Sequence, residues 1–277
     1  VARTDVAVDC NGLVQVYRVE SGEVHALRGV DASFAAGTVT AVVGPSGSGK
    51  STLLRLLALE ERPTAGQLTI NGQNAIGAPV RTLRRLRRRS IAVVLQRPTL
   101  NLFPQLTAHE HVELAARWRG AAKSEIDEAL DTVGLSQRKS NRPDQLSGGE
   151  QQRLAVAMAG IGRPTVLLAD EPTAELDAES AAAVIAHLRA SADTGVAVVV
   201  NTHDPAVAAA ADRVLALHHG TLHSERLSGR ASVAVIDAVG RVQLPPDLLA
   251  VFPGNRAEIT LQDGTVVLRP VSDGNDE

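Results

Sequence analysis

"TVTAVVGPSGSGKSTLLRLLALE", residues 38–60, runs an apolar stretch of β character into a glycine-rich turn and then into a helical repeat of leucines. Inside it Gly44, Pro45, Ser46, Gly47, Ser48, Gly49, Lys50 and Ser51, followed by Thr52, fit G-x-x-x-x-G-K-[ST]. That motif holds phosphate when a strand precedes it and a helix follows, and both flanks are in place. Glycines let consecutive backbone N–H groups turn inward around phosphate oxygens, and the helix N-terminus adds positive potential. Lys50 is placed to reach β- and γ-phosphates, and the Ser51 hydroxyl to ligate Mg²⁺. A glycine-rich turn that binds nothing is the bland alternative, and the flanks argue against it. The stretch predicts a nucleoside triphosphate site on an α/β fold.

Such a site needs a carboxylate across from the lysine. "RPTVLLADEPTAELD" (163–177) supplies a strand over Val166–Ala169 ending in Asp170 and Glu171. In a parallel sheet the ligand crevice lies beyond the carboxyl ends of the strands, where this pair falls. Successive side chains diverge, so the two acids can divide the work. Asp170 would hold Mg²⁺, directly or through water, and Glu171 would orient and polarise the attacking water. "GVAVVVNTHD" (195–204) puts His203 just past a second strand, and "SIAVVLQRPTL" (90–100) ends a third in Gln96. His203 would hydrogen-bond the γ-phosphate or the water, and Gln96 would reach the metal or the water. Taken alone, His203 would more often be a loop histidine capping a backbone group, and Gln96 would be unremarkable. The three strand ends together, beside the glycine-rich loop, argue for one site.

"DQLSGGEQQRLAVAMAG" (144–160) begins a helix with a capping box, Ser147 and Glu150, that needs no glycine between its members. Gly148 and Gly149 therefore ask for another reason, since a helical glycine is costly. With this segment in view the chain resembles the nucleotide-binding subunits of ABC transporters. The glycine-rich loop, Gln96, "LSGGE" (146–150), "VLLADE" (166–171), "ELD" (175–177) and His203 occur in that family's order, over about residues 10–225.

The resemblance implies an α/β P-loop nucleoside triphosphatase with a central mostly parallel sheet, an antiparallel β edge, a helical subdomain over about 97–163 and an ABC-type domain over 1–228. It implies that Ser147, Gly148 and Gly149 close over ATP held by the glycine-rich loop of another subunit. The catalytic unit is then a head-to-tail dimer, of identical or different subunits, with ATP and Mg²⁺ between its halves. It also implies that Tyr17 stacks on adenine, with a partly buried core tyrosine as the alternative, and that Asp177 reports across the dimer. Ala174 and Met158 depart from the family's usual residues, which touches the tuning between sites rather than Glu171 or His203.

"HALRGVDASFAAG" and "LALEERPTAGQLTING" most resemble the branch serving lipoprotein release, macrolide export and cell division. That branch implies a separately encoded transmembrane permease and a peripheral place on the cytoplasmic face of the membrane. "TAHEHVELAARWRG" (107–120), with a T-x-x-E box of its own, and "KSEIDEALDTVGL" (123–135) read as helices. Leu100, Leu102 and Phe103 in "RPTLNLFPQLT" (97–107) fit either a permease-docking groove or ordinary core.

The 277 residues suffice for one large domain plus a small appendage. With 2% aromatics among 44% hydrophobic residues, Leu, Val, Ile and Ala must fill the core. A formal net charge of −3 argues against a broadly basic nucleic-acid binder. One cysteine, Cys10, excludes an internal disulfide and a cysteine-based zinc cluster. Asp5 and Asp9 interrupt any signal-peptide core, and no apolar run approaches the ~18 residues of a membrane span. "RTLRRLRRRS" (81–90) is the one concentrated basic run. It reads better as a solvated helix than as a nucleic-acid or lipid patch, since no aromatic is interleaved in it.

From Gly229 onward four Arg face five Asp and two Glu, net −3, which leaves residues 1–228 neutral and marks "RLSGRAS" (226–232) as a linker. The tail, 229–277, reads strand, short helix starting at Pro245, Pro246 and Asp247, then two strands about Asp263 and Gly264. "DAVGRVQLPPDLL" resembles the swapped-hairpin domains of bacterial transition-state regulators, which implies a dimerisation or regulatory module. Its charge opposes DNA binding. A soluble ABC-type ATPase of DNA repair, chromosome organisation or translation is the alternative function. It fits poorly, because the chain has one cassette, about a hundred residues between loop and signature, and one cysteine.

Overall fold

A computed structural model describes residues 6–20, 22–229, 233–234, 251–252, 256–262 and 265–270. The chain opens with two long strands, β1 (Val6–Val19) and β2 (Gly22–Ala35), then β3 (Val39–Val43) and helix α1 (Lys50–Leu57). Strands β4 (Ala65–Ile70) and β5 (Gln73–Asn74) lead to α2 (Val80–Ser90) and β6 (Ile91–Val94). Helices α3 (Ala108–Arg119), α4 (Ser124–Thr132) and α5 (Gly148–Gly160) precede β7 (Val166–Asp170). After α6 (Ala178–Asp193) come β8 (Ala197–Asn201), α7 (Pro205–Ala210), β9 (Arg213–His218) and β10 (Thr221–Leu227). The tail contributes β11 (Val233–Ala234), β12 (Ala257–Gln262) and β13 (Thr265–Pro270).

Two sheets carry the fold. The larger runs β11-β10-β9-β3-β8-β7-β6, with β9, β3, β8, β7 and β6 mutually parallel and β10 and β11 antiparallel at one edge. The smaller, β2-β1-β4-β5, is antiparallel. Strands buried on both faces should read as unbroken apolar runs. Here β7 is Val-Leu-Leu-Ala before its aspartate, and β8 is Ala-Val-Val-Val before its asparagine. Alternate residues take opposite sides. Val166, Leu168, Ala197 and Val199 join α1, α2 and the antiparallel sheet in one core. Leu167, Ala169, Val198 and Val200 join α5, α6 and α7 in the other. Cys10 lies in the first core, where burial, with Asp9 and Asp31 adding to it, pushes its thiol pKa far up and leaves it unreactive.

The helical subdomain has its own core, with Val112 and Ala116 of α3, Ile126 and Leu130 of α4, and Leu154 and Ala157 of α5. Leu102 is buried in it, whereas Leu100 and Phe103 are 68% and 42% exposed. The core reading of that segment thus holds for Leu102 and not for Leu100 or Phe103. Buried His111 ties the segment to α3: its Nδ1 faces the Thr107 carbonyl at 2.8 Å and its Nε2 accepts the Phe103 N–H at 2.8 Å. Burial holds this imidazole below its ordinary pKa, in the neutral form those two bonds require.

Helix α6 is secured at both ends. Asp177 caps it, accepting the Ser180 N–H at 2.9 Å. Near its end Arg189 donates to Asp212 at 2.5 Å and to the Gly37 carbonyl at 3.2 Å, while Asp212 accepts the Val39 N–H at 2.8 Å. Beyond the cassette, β11 pairs with β10, Ser224 facing Ala234, so this part of the tail extends the large sheet. Strands β12 and β13 pair antiparallel, from Ala257 and Pro270 to Gln262 and Thr265. The turn read at Asp263 and Gly264 and the helix start read at Pro245, Pro246 and Asp247 lie outside the described residues. Among the described residues no helix is long and apolar enough to cross a membrane.

Candidate functional site

The site is built where parallel strands end. Val42 of β3, Asn201 of β8 and Asp170 of β7 share one rung of the sheet. With adjacent strands about 4.8 Å apart, the glycine-rich loop after β3 and the carboxylate after β7 face each other across β8.

The loop takes its shape from positions where a side chain has no room. A Cβ on Gly44 (φ 151) would run into the Leu217 carbonyl, and one on Gly49 (φ 105) would stand 2.5 Å from the Ala26 carbonyl oxygen. Gly49 is also the N-cap of α1, and no side chain caps that helix. Its first N–H groups are therefore free for an anion. Lys50 donates to the Gly44 and Pro45 carbonyls at 2.7 and 3.1 Å, which holds its ammonium over the loop. The buried Ser48 Oγ finds no partner among the described residues. Backbone crowding on the outside, with free donors and an orphaned hydroxyl within, is a cradle that fits phosphate oxygens.

Asp170 is part-buried, and desolvation, reinforced by the Glu171 charge, raises its pKa, although the Asn201 amide at 3.2 Å, Lys50 and Ser51 pull the other way. A desolvated carboxylate beside a serine hydroxyl is an all-oxygen donor pair suited to a hard cation. Glu171 sits at φ 46, a left-handed conformation that costs a non-glycine residue of order 1–3 kcal/mol. The bend turns its side chain to His203, whose Nδ1 lies 2.8 Å and backbone N–H 3.2 Å from Glu171 Oε2. Gln96 is exposed, two residues past β6, which is the neighbour of β7.

Tyr17 is half-buried and its hydroxyl donates to Glu61 at 2.5 Å. Desolvation and that bond raise its pKa, while a bond to Thr52, on the first turn of α1, works against them. Tyr17 belongs to neither of the two large cores.

The start of α5 has the expected box: Glu150 N–H donates to Ser147 Oγ at 3.2 Å, and Ser147 N–H to Glu150 Oε2 at 2.8 Å. The bond from the Ser147 N–H holds the Glu150 carboxyl below the usual range. The two glycines differ. A Cβ on Gly148 would meet nothing within 4 Å, whereas one on Gly149 would lie 2.5 Å from Ser180 Oγ. Gly149 thus has a reason inside the chain, close packing against α6, and Gly148 has none. Ser180 is held in that position by Asp177, which accepts both its N–H and its hydroxyl at 2.9 Å. Asp177 accordingly serves α6 here. Met158 lies against the helical core, and Arg119 donates to the Met158 and Ile161 carbonyls at 2.6 and 3.2 Å, closing the far end of α5.

Three contributors escaped the sequence reading: Asn201 behind Asp170, Ser180 against Gly149, and Glu61 on Tyr17. Only Asn201 left a local signal, as the one polar residue ending an apolar strand.

The family model described as ABC transporter matches residues 27–174. The chain is 39% identical over 229 residues to the lipoprotein-releasing system ATP-binding protein LolD 2 of Caulobacter vibrioides, covering 81% of this chain and 100% of that protein. It is 40% identical over 234 residues to the macrolide export ATP-binding/permease protein MacB of Burkholderia pseudomallei, covering 82% of this chain but 36% of the relative. Among solved structures, the dimeric post-hydrolysis state of the ATP-binding cassette MJ0796 bound to ADP and Pi is similar at TM-score 0.73 and 32% identity, over 81% of this chain and 100% of that one.

Proposed function

The chain belongs to the ABC transporter ATPase family, and we propose that two copies, or this chain and a related partner, close head-to-tail over ATP to power a transmembrane permease from the cytoplasmic face of the membrane. The observation that carries this reading is the start of α5. Ser147 and Gly148 are exposed, and open space lies where a Gly148 side chain would be. A capped helix start that spends a bare glycine on nothing in its own chain is suited to a ligand held by another.

The geometry supports the following roles. The cradle from Gly44 to Thr52 binds the phosphates, with Lys50 moving from the loop carbonyls to the β- and γ-oxygens. Ser51 and Asp170, with Gln96 from the neighbouring strand, would hold Mg²⁺, which when bound neutralises charge on those oxygens. Glu171 orients the attacking water and takes up its proton as the bond from the γ-phosphoryl group to ADP breaks. His203 fixes the carboxylate through Oε2 and leaves Oε1 for the water. The Ser147 hydroxyl keeps its own proton to donate while accepting from Glu150, so capping and γ-phosphate contact are compatible. Tyr17 offers its ring to adenine.

Residues 1–228 form the cassette and 229–277 a dimerisation or regulatory module. The paired strands β12 and β13 leave Ile259, Leu261 and Val266 at 70%, 75% and 64% exposure, apolar surface of the kind a partner covers. Deleting 229–277 is expected to alter dimerisation or the ATPase rate, and unchanged values of both would remove that role.

Mixing variants tests the head-to-tail reading. Lys50→Ala spoils one half-site and Ser147→Arg the other. Each alone should be inactive, and a mixture should regain phosphate release, since one of the two shared sites is then intact. A mixture as inactive as its parts refutes shared sites.

A further inference from the structure

Helix α2 packs six arginines and no carboxylate into 11 residues. Leu83 and Leu86 turn inward, and all six arginines are exposed. Arg87, Arg88 and Arg89 complement the carbonyl end of the helix. Arg81, Arg84 and Arg85 do not, and neighbours three and four apart repel one another along the surface. Among the described residues none of the six is in an ion pair, and Arg85 reaches only Gln73 Oε1 at 3.4 Å. A helix that breaks a local rule without compensation inside the chain points to a ligand outside it.

The fold adds what the basic run lacks. The last turn of α3 brings Trp118, 51% exposed, and Arg119 beside α2. Arg84, Arg87 and Arg88 form one wall of a cleft, Trp118 and Arg119 the other, and β6, the edge strand of the large sheet, its apolar floor. The Arg119 Nε is buried without a partner among the described residues.

We propose that this cleft and the arginine face around it bind anionic phospholipid headgroups on the membrane that holds the permease. Guanidinium forks match phosphate oxygens in pairs. A tryptophan at the rim of a basic surface suits the boundary between headgroups and acyl chains. The arginines stand on a convex helix, so a fluid surface whose anions gather laterally can satisfy them together. A nucleic-acid strand would find one aromatic where successive bases need several, on a chain of net charge −3. The inference takes its setting from the transporter reading.

Trp118 is the only tryptophan and therefore a built-in reporter. The full chain, without nucleotide or permease, is mixed with phosphatidylcholine vesicles with and without phosphatidylglycerol. Expected are co-sedimentation with the anionic vesicles only, a blue shift of Trp118 emission, and loss of both with added salt. Combined Arg84→Gln, Arg87→Gln and Arg88→Gln should weaken partitioning on the order of 100-fold, about one power of five per arginine, with ATP hydrolysis unchanged. The proposal is overturned by absent binding, by binding that the triple variant retains, or by sedimentation without a Trp118 shift. It is also overturned if an RNA or DNA oligonucleotide shifts Trp118 at concentrations where anionic vesicles do not. Because no ATP is present, failure here is separate from failure of the head-to-tail reading.

Discussion

On the function proposed above, two helix N-termini would serve the same chemistry by opposite means. At α1 the chain leaves the first turn uncapped and encloses it, with Gly44 and Gly49 pressed against the carbonyls of Leu217 and Ala26. At α5 the first turn is capped by Ser147 and Glu150 and left open to solvent. The first is a closed turn, held by backbone contacts from distant strands. The second is a stable surface feature that gains its purpose when something approaches. A nucleotide would meet the first as a pre-formed cradle and the second as a lid, so binding and closure are separable steps.

Variants can sharpen that contrast. The largest effect is expected from Glu171→Gln, which should lower the rate of phosphate release by about 10²–10⁴ while nucleotide binding persists, and should trap a dimer visible by size exclusion. Normal turnover would remove Glu171 from its role. Next, Gly49→Ala forces a side chain onto the Ala26 carbonyl at a positive φ. It should cost about 3 kcal/mol, seen in urea unfolding, together with nucleotide affinity. At the second terminus the two glycines should part company. Gly149→Ala meets Ser180 and should lose roughly 1–3 kcal/mol. Gly148→Ala should gain about 0.4–1 kcal/mol in the isolated chain and still slow hydrolysis by the dimer. If both glycines behave alike, the division of labour between them is wrong.

The smallest effect concerns His111. Its folded pKa is depressed, so the unfolded chain binds more protons as pH falls through about 6.5, the ordinary imidazole value. Stability present at neutral pH should therefore decline as pH falls through that value toward the depressed one. Melting temperatures of the parent and of His111→Gln, followed from pH 7.5 to about 5, should converge toward the acid end.

Much of this was legible because it is local. The strand, turn and helix around Lys50, the boxes at Thr107 and Ser147, and Gln96, Asp170, Glu171 and His203 at or just past the ends of β6, β7 and β8 are each legible within a dozen positions. What the sequence did not disclose depends on partners far along the chain. Gly149 is explained by Ser180, and Gly44 by Leu217, through contacts that no spacing announces. Leu102 and Phe103 read alike, yet one is core and the other surface, because α3 and α5 close over only one of them. The basic run lacked an aromatic on its own helix, and packing of α3 supplied Trp118 from another. The antiparallel edge came only from family likeness, since strand order is a property of the whole sheet.

The double fastening of α6 has a mechanical corollary. Its 16 residues make a strut roughly 24 Å long at 1.5 Å per residue. One foot is wedged under α5 through Ser180 and the other is riveted to the root of β3 through Arg189 and Asp212. A displacement of the corner at Asp177 therefore strains contacts at both feet and not the helix alone. The far foot stands at the start of β3, the strand that leads into the lysine loop.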